Sequence, residues 1–468
     1  MTWLARRIPP VTATELGLFR VLFAAGLWFT VRELRLPQVP FPREMHLEVH
    51  PLAQFDWVHA LASRPDLVGL LETTALVLIA VFAIGIATRL TFGALVLLLT
   101  AWTLVRLTQT GTHNWAALLV ALWAMLPVRW GDGLSVYAWW RRHRGRPLPG
   151  GRRTRYGYAL WIPGLVFGSA MAAAGASKLL HGGVGWITNG TVKYVFVIDS
   201  PRAATDWGLW VAGHHWAAVA LSAGAVFTEL TMVLAVFVRR PLARLPFAVL
   251  GLGLLLGFWV FQGELWYAWW TLYLAFFVPW PSLFRRLHRL TGQAGATTEG
   301  APAEPAHALL TAPQWAALTA VVGLQVLGTL LRTEIAPVLS DYPMYSTTYA
   351  SVAEFRERAA EPPAYRFAIR LEDGTEHDAM GVATRLGLLD SLQEAHAELQ
   401  EDGGSVEARR RLDAAGRALT KELGVPVAAV VVRVDQREFD FDRGRFTWAV
   451  RDALAAAYPV APASSCAR

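Results

Sequence analysis

Residues 157–179 read GYALWIPGLVFGSAMAAAGASKL, a run whose only Asp, Glu, Lys, Arg or His is Lys178. About 20 apolar residues in a helix cross the hydrocarbon core of a bilayer, so this stretch predicts a membrane-spanning helix. Working outward, eight further stretches have the same character: 13–31, 67–87, 90–108, 113–128, 208–237, 243–261, 264–283 and 313–331. The composition agrees. Of 468 residues, 54% are hydrophobic and 17% charged, with 21 Trp and 22 Phe, where a soluble domain carries about 25% charged residues. The mean hydropathy is +0.34. A single water-soluble globule and a disordered chain are both excluded. The fold class expected is an all-α polytopic membrane helix bundle of about nine spans, followed by a small α+β domain.

Charge supplies an orientation. The net charge is +7, and only Lys178, Lys193 and Lys421 among the 43 basic residues are lysines. The arginines fall between spans, which argues for membrane topology and against nucleic acid. Arg129, Arg141, Arg142, Arg144, Arg146, Arg152, Arg153 and Arg155 follow the fourth span. Arg239, Arg240 and Arg244 follow the sixth, and Arg285, Arg286 and Arg289 the eighth. With these loops cytoplasmic, the N-terminus (Arg6, Arg7) is inside a plasma membrane and the tail outside. No small-residue cleavage site follows the first span near Val31–Leu34, so it reads as a retained span and not a signal peptide. Cys466 is the only cysteine, which excludes a disulfide framework, a cysteine zinc site and a CxxC redox pair.

The expected domains are a membrane domain at 1–290, a cytoplasmic linker at 291–312 rich in Gly, Ala, Pro and Thr, a last span at 313–332, and a soluble domain at 333–468. In the tail, Tyr365–Leu371 alternates like a strand and Glu372-Asp373-Gly374 signals a hairpin turn. His377–Met380 reads as the returning strand, 383–401 and 405–423 as amphipathic helices, Val427–Phe441 as extended, and 446–457 as a final helix.

Ionisable groups inside spans are costly and mark function by default. The candidates are Arg20, Glu72, His113, Lys178 and Glu229, with Arg106 and Glu264 nearer the span ends. Glu72, His113 and Lys178 lie toward the outer half and fit one outward-facing cavity. Lys178 stands out in a chain that otherwise writes arginine, because a desolvated lysine can serve as a base and an arginine cannot. The bland alternative is a span-end lysine with its amine among the headgroups. His113 fits a hydrogen-bond donor to a developing anion, or a helix-start histidine bonded to local backbone. Arg20 and Glu229 are read as a buried pair that fixes helix packing. His46 and His50 have ligand spacing on a helix, but two histidines are too few to predict a metal site. The tryptophans mainly mark membrane interfaces, with a stacking box for a flat ligand as the minor alternative.

Taken in order, these pieces resemble the membrane domain of the vitamin K-dependent gamma-carboxylases, the HTTM (horizontally transferred transmembrane) family, in its bacterial form. The resemblance covers roughly residues 13–285. It rests on Leu16-Gly17-Leu18-Phe19-Arg20-Val21-Leu22-Phe23, His113, Ala174-Gly175-Ala176-Ser177-Lys178-Leu179, Trp186 with Gly190, and Glu229-Leu230; Asp341–Ser346 also looks like bacterial members. It implies a quinol-dependent oxygenase or carboxylase with a reduced, vitamin K-like quinone as cofactor. Lys178 would be the base and His113 its catalytic partner. Glu72, Trp186, Glu264 and Arg20 would form the substrate-binding set, with no metal. Partners would be the lipid bilayer and an extracytoplasmic protein or peptide. Two further readings stand beside it: a non-enzymatic scaffold whose outer domain binds a partner, and a DoxX/MauE-like redox partner protein. A transporter fits less well, because paired broken spans and inverted repeats are not evident.

Overall fold

The computed structural model describes residues 2–33, 43, 46, 51–110, 115–146, 149–290, 310–331, 349, 351–358, 364–401 and 406–460. A short α1 (Thr2–Ala5) precedes α2 (Ala13–Glu33), and α3 (Asp56–Ala62), α4 (Pro65–Ile84), α5 (Thr88–Thr110), α6 (Ala116–Ala124) and α7 (Val136–His143) follow. The long α8 (Thr154–Gly182) leads through α9 (Gly185–Thr188), α10 (Val192–Asp199) and α11 (Trp207–Ala212) to α12 (His215–Met232), which tightens into a 3-10 turn at Val233–Phe237. The bundle is completed by α13 (Pro241–Gln262), α14 (Tyr267–Phe277), α15 (Trp280–Leu290) and α16 (Ala312–Leu331). Among the described residues, six helices are long and apolar enough to cross a membrane: α2, α4, α5, α8, α12 with its 3-10 turn, and α13. The chain is therefore a multi-pass membrane protein.

Six of the nine expected stretches reach that length among the described residues: 113–128, 264–283 and 313–331 are not among them, and 208–237 is one only from His215 onward; three of these stretches show local breaks. The stretch 113–128 yields only the nine-residue α6; at 1.5 Å per residue that is roughly 14 Å, half a bilayer core. The stretch 208–237 is cut at Gly213 and His214, where His214 adopts extended backbone (φ −126°). The stretch 264–283 is cut because Val278, extended at ψ 125°, precedes Pro279, and a residue before proline is pushed out of the helical region.

At the centre, α8 packs on α12, α14, α6 and α16. Its small residues permit this. A Cβ at Gly168 would stand 2.8 Å from Val233 Cα, and one at Gly175 would stand 3.0 Å from Glu229 Cβ. Close approach of small residues is the usual driving contact between helices in lipid, where no hydrophobic effect pulls them together. The arginine-rich segments converge on one end of the bundle. Arg239 donates to Arg6 O, Arg152 to Pro10 O (2.8 Å) and to Glu15 (3.1 Å), and Gln314 donates to Arg155 O at 3.0 Å.

The tail holds α17 (Val352–Arg358), β1 (Ala364–Leu371), β2 (Glu376–Asp378), α18 (Met380–Arg385), α19 (Leu389–Glu401), α20 (Val406–Leu423), β3 (Val427–Asp440) and β4 (Arg445–Pro459). The strands form one antiparallel sheet in the order β2-β1-β3-β4. Phe367, Ile369, Val430 and Val432 share a buried cluster with Leu392, Leu412 and Leu419 of the helices. Glu376 ties β1 to β3 through Arg370 (2.7 Å) and Arg433 (2.5 Å); hydrogen bonds from Arg433 first, then Arg370, hold its carboxyl below the usual range. The helix expected at 446–457 is instead the strand β4, paired with β3 from Arg445↔Asp440 to Pro459↔Ala429. Its alanine-rich half favours a helix locally, but fourteen residues of β3 offer a ladder of backbone partners that a lone helix does not. The tip of the β3–β4 hairpin reaches the bundle: Phe439 and Phe355 share an apolar cluster with Tyr194 and Val197 of α10 and Ala212 of α11.

Candidate functional site: an ion pair on an apolar cavity

Between α8, α10, α12, α13 and α14 lies a cavity of about 350 Å³. Helical spacing builds its walls. Met171, Ala174 and Lys178 project from one face of α8, Leu221, Ala225 and Glu229 from α12, and Leu250, Leu254 and Phe261 from α13. Trp186, Trp266 and Trp269 add aromatic walls to it. Lys178 Nζ donates to both oxygens of Glu229, each at 2.9 Å. Both side chains are almost fully buried, 5% and 4% exposed. The Trp186 ring lies 5.6 Å from Nζ, within cation–π range. A buried pair of this kind repays its desolvation only when both partners are well bonded, and here the carboxylate is gripped at both oxygens.

Two further features point to a ligand. Gln262 lines the cavity and is 5% exposed, and its Oε1 has no hydrogen-bond partner among the described residues. A buried acceptor left unmade costs about 1–3 kcal/mol, so such groups call for an explanation. The wall between α12 and α13 also reaches the outside of the bundle. Leu221 and Val249 line the cavity and are 38% and 58% exposed, and Gly224 and Gly253 leave open space where a side chain would stand. In a membrane that outside is lipid.

The structure brings together only part of the set expected from sequence. Lys178 and Trp186 are on the cavity. Glu264 follows the helix-capping Gly263 and faces Arg202 at 3.4 Å, half-exposed beside the cavity but not in its lining. Glu72 is buried on α4, which packs on α2 and α5, away from the lining. His113, His50 and Asp341–Ser346 lie outside the described residues. Arg20 does not pair with Glu229. Its guanidinium is fully buried and donates to four carbonyls: Leu134 O (2.6 Å), Trp130 O (2.7 Å), Ala83 O (3.3 Å) and Gly133 O (3.4 Å). His46 meets His59 across 2.6 Å between Nδ1 atoms, and no group of three or more metal-ligating side chains occurs among the described residues.

Sequence reasoning missed Glu229 as the partner of Lys178. The available signal was the scarcity of carboxylates inside spans, which left few choices for a buried lysine. It also missed Gln262, which no charge or motif marks. The tryptophans divide: Trp186, Trp266 and Trp269 form cavity wall, whereas Trp57 and Trp207 are 49% and 66% exposed and fit an interfacial role. Comparisons with family models, with curated proteins and with solved structures give no match.

Proposed function

We propose that this chain is a membrane enzyme that takes a quinol-like lipid into the cavity and removes a proton from it with Lys178, in the manner of the quinol-dependent carboxylases and oxygenases it resembles. The observation that carries the reading is the Lys178–Glu229 pair, buried on an apolar cavity that reaches the lipid-facing surface. A flat, apolar molecule with hydroxyl groups suits this lining, since the aromatic walls accept a ring and the Gln262 oxygen accepts a hydroxyl proton. The quinol supplies an ionisable hydroxyl and, once ionised, an electron-rich ring for reaction with oxygen.

The chain's own residues handle the proton. Nζ bonds both oxygens of the Glu229 carboxylate at 2.9 Å, so a proton can pass from one partner to the other within the pair. When it sits on Glu229, Lys178 is a neutral amine with a free lone pair and can accept the hydroxyl proton. Glu229 thus sets the charge of the base, and Trp186 shields it from water. His113 is assigned by the resemblance to the support of the developing anion. The arginine-rich end is assigned to the cytoplasm and the tail to the opposite side.

The test is turnover of a reduced menaquinone or vitamin K analogue by the purified chain in nanodiscs, followed by oxygen uptake and by fixation of labelled carbon dioxide. Lys178→Ala and Lys178→Arg should both abolish turnover while analogue binding persists. Full turnover in Lys178→Arg would end the base assignment, because arginine keeps its proton.

A scaffold reading has one observation of its own, the edge position of the fifteen-residue β4, which suits pairing with a strand from another chain. It expects Lys178 variants to keep full function and deletion of 340–468 to abolish it.

A further inference from the structure

The eight-residue α7 lies at the arginine-rich end of the bundle, in the sequence Leu134-Ser135-Val136-Tyr137-Ala138-Trp139-Trp140-Arg141-Arg142-His143-Arg144. Its aromatic side chains and Val136 are turned outward, while Ala138 faces the bundle. Trp139 is 59% exposed, Tyr137 49% and Val136 44%. Each aromatic residue has a base four positions later. Arg144 lies 4.0 Å over Trp140, Arg141 5.9 Å over Tyr137, and the His143 ring lies tilted 4.5 Å from that of Trp139. One helical turn thus sets a layer of rings beside a layer of cations, which is the order of chemical groups in the headgroup zone of a bilayer. A surface cavity of about 350 Å³, lined by Leu134, Ser135, Val136, Ala138, Trp139 and Arg142, opens beside it.

The helix is also rigidly launched. Leu134 has φ +45°, in the left-handed region that costs a branched residue energy. Arg20 grips the carbonyl of this residue and those of Trp130 and Gly133. Ser135 Oγ then caps the helix by accepting from Ala138 N at 2.9 Å. A strained turn held by a buried cation and followed by a capped helix fixes the direction of the exposed rings.

We propose that α7 is a binding site for anionic phospholipid, with Trp139 and Tyr137 seated among the acyl-chain ends and Arg142 and Arg144 on the headgroup phosphate. The charge decides the class of lipid. Residues 134–146 carry four arginines and one histidine and no acid. No carboxylate among the described residues pairs with Arg142 or Arg144, and Asp132 is engaged by the Tyr156 hydroxyl at 2.6 Å. A neutral headgroup would leave that charge uncompensated.

The experiment uses the full chain, stripped of lipid in a neutral detergent and titrated with phosphatidylglycerol or phosphatidylcholine, with bound lipid counted by native mass spectrometry and the melting temperature followed in parallel. Phosphatidylglycerol should bind more tightly. Arg142→Gln with Arg144→Gln should weaken it about fivefold per cation removed and leave phosphatidylcholine unchanged. Soluble glycerol phosphate should not compete, because it lacks the chains that the aromatic face takes. Should the double variant fail to fold, a salt titration of the unmodified chain replaces it, since a charge-based preference falls as salt rises. Equal affinity for the two lipids, a salt-insensitive preference, an unaltered double variant or full competition by glycerol phosphate would each overturn the proposal. None of these results bears on turnover at Lys178.

Discussion

Lys178 and Arg20 are both basic residues buried in the membrane bundle, and they are bonded in opposite ways. Lys178 meets one carboxylate and borders a cavity. Arg20 meets four carbonyls and borders none of that cavity. A carbonyl cage can neither give nor take a proton, and the five fixed donors of a guanidinium suit several acceptors at once. An amine paired with a carboxylate has a second place for its proton to go. The first arrangement is a joint: it ties α2 to the end of α4 and to the turn before α7. The close fit at Gly85, whose Cβ would stand 2.7 Å from Arg20 Nη2 and which has φ +88°, shows how little room the joint leaves. The second arrangement is the one on which the proposed proton transfer rests.

The largest effect should come from breaking the joint. Arg20→Leu orphans four carbonyl contacts, and at about 1 kcal/mol or more for each the loss should reach roughly 3–5 kcal/mol, read as a lowered unfolding temperature in detergent or as failure to accumulate in the membrane. Arg20→Lys should recover little, because one ammonium cannot span the four acceptors. Recovery of full stability by lysine would erase the distinction between the two cations.

The paired cation should behave differently. Lys178→Met or Glu229→Leu alone leaves a buried charge without its partner, at about 3–5 kcal/mol. The double variant should restore most of that stability, since apolar replacements of a buried pair are often neutral, and should remain inactive. A double variant as unstable as the singles would make the pair structural and bring it close to Arg20 in kind.

The comparison also rests on access to the cavity. Gly253 faces open space, so Gly253→Leu should fold with a stability change under about 1 kcal/mol while filling the lipid-side gap. Quinol-analogue affinity should fall at least tenfold in this variant. Unchanged affinity would mean that the ligand reaches Lys178 by another route, or does not use this cavity.

The membrane class was legible because composition and span length are coarse quantities that any packing must respect. The sites were legible one residue at a time: a lone lysine in an arginine-writing chain could be noticed, but its partner could not, since Arg20–Glu229 and Lys178–Glu229 are equally good pairs until α8 and α12 are docked. The same holds for 446–457, where local alanine content points to a helix and only the distant β3 makes it a strand. The breaks at Gly213 and Pro279 did carry local signals that the apolar runs around them masked.

A third buried base, His396 of α19, extends the comparison outside the membrane. It is 2% exposed, its Nδ1 lies 2.8 Å from the Tyr458 hydroxyl, and its ring meets Tyr365 edge-on at 4.8 Å. Burial lowers its pKa below the ordinary 6.5, with neither a carboxylate, as at Lys178, nor a carbonyl cage, as at Arg20, among its described partners. The sign follows from proton counting. Below about pH 6.5 the unfolded chain takes up a proton at this histidine while the folded domain still does not, so stability is present above that pH and is lost as pH falls toward the folded value. Depressed Glu376 acts in the same direction, but only below the ordinary carboxylate range. The protection free energy of the β1 and β3 amides, taken after correction for the intrinsic base-catalysed exchange rate, should therefore fall between pH 7 and pH 5, and His396→Asn should flatten that dependence in this window. An unchanged pH profile in His396→Asn would place the sensitivity elsewhere and remove His396 as the member of the three held by neither a carboxylate nor a carbonyl cage.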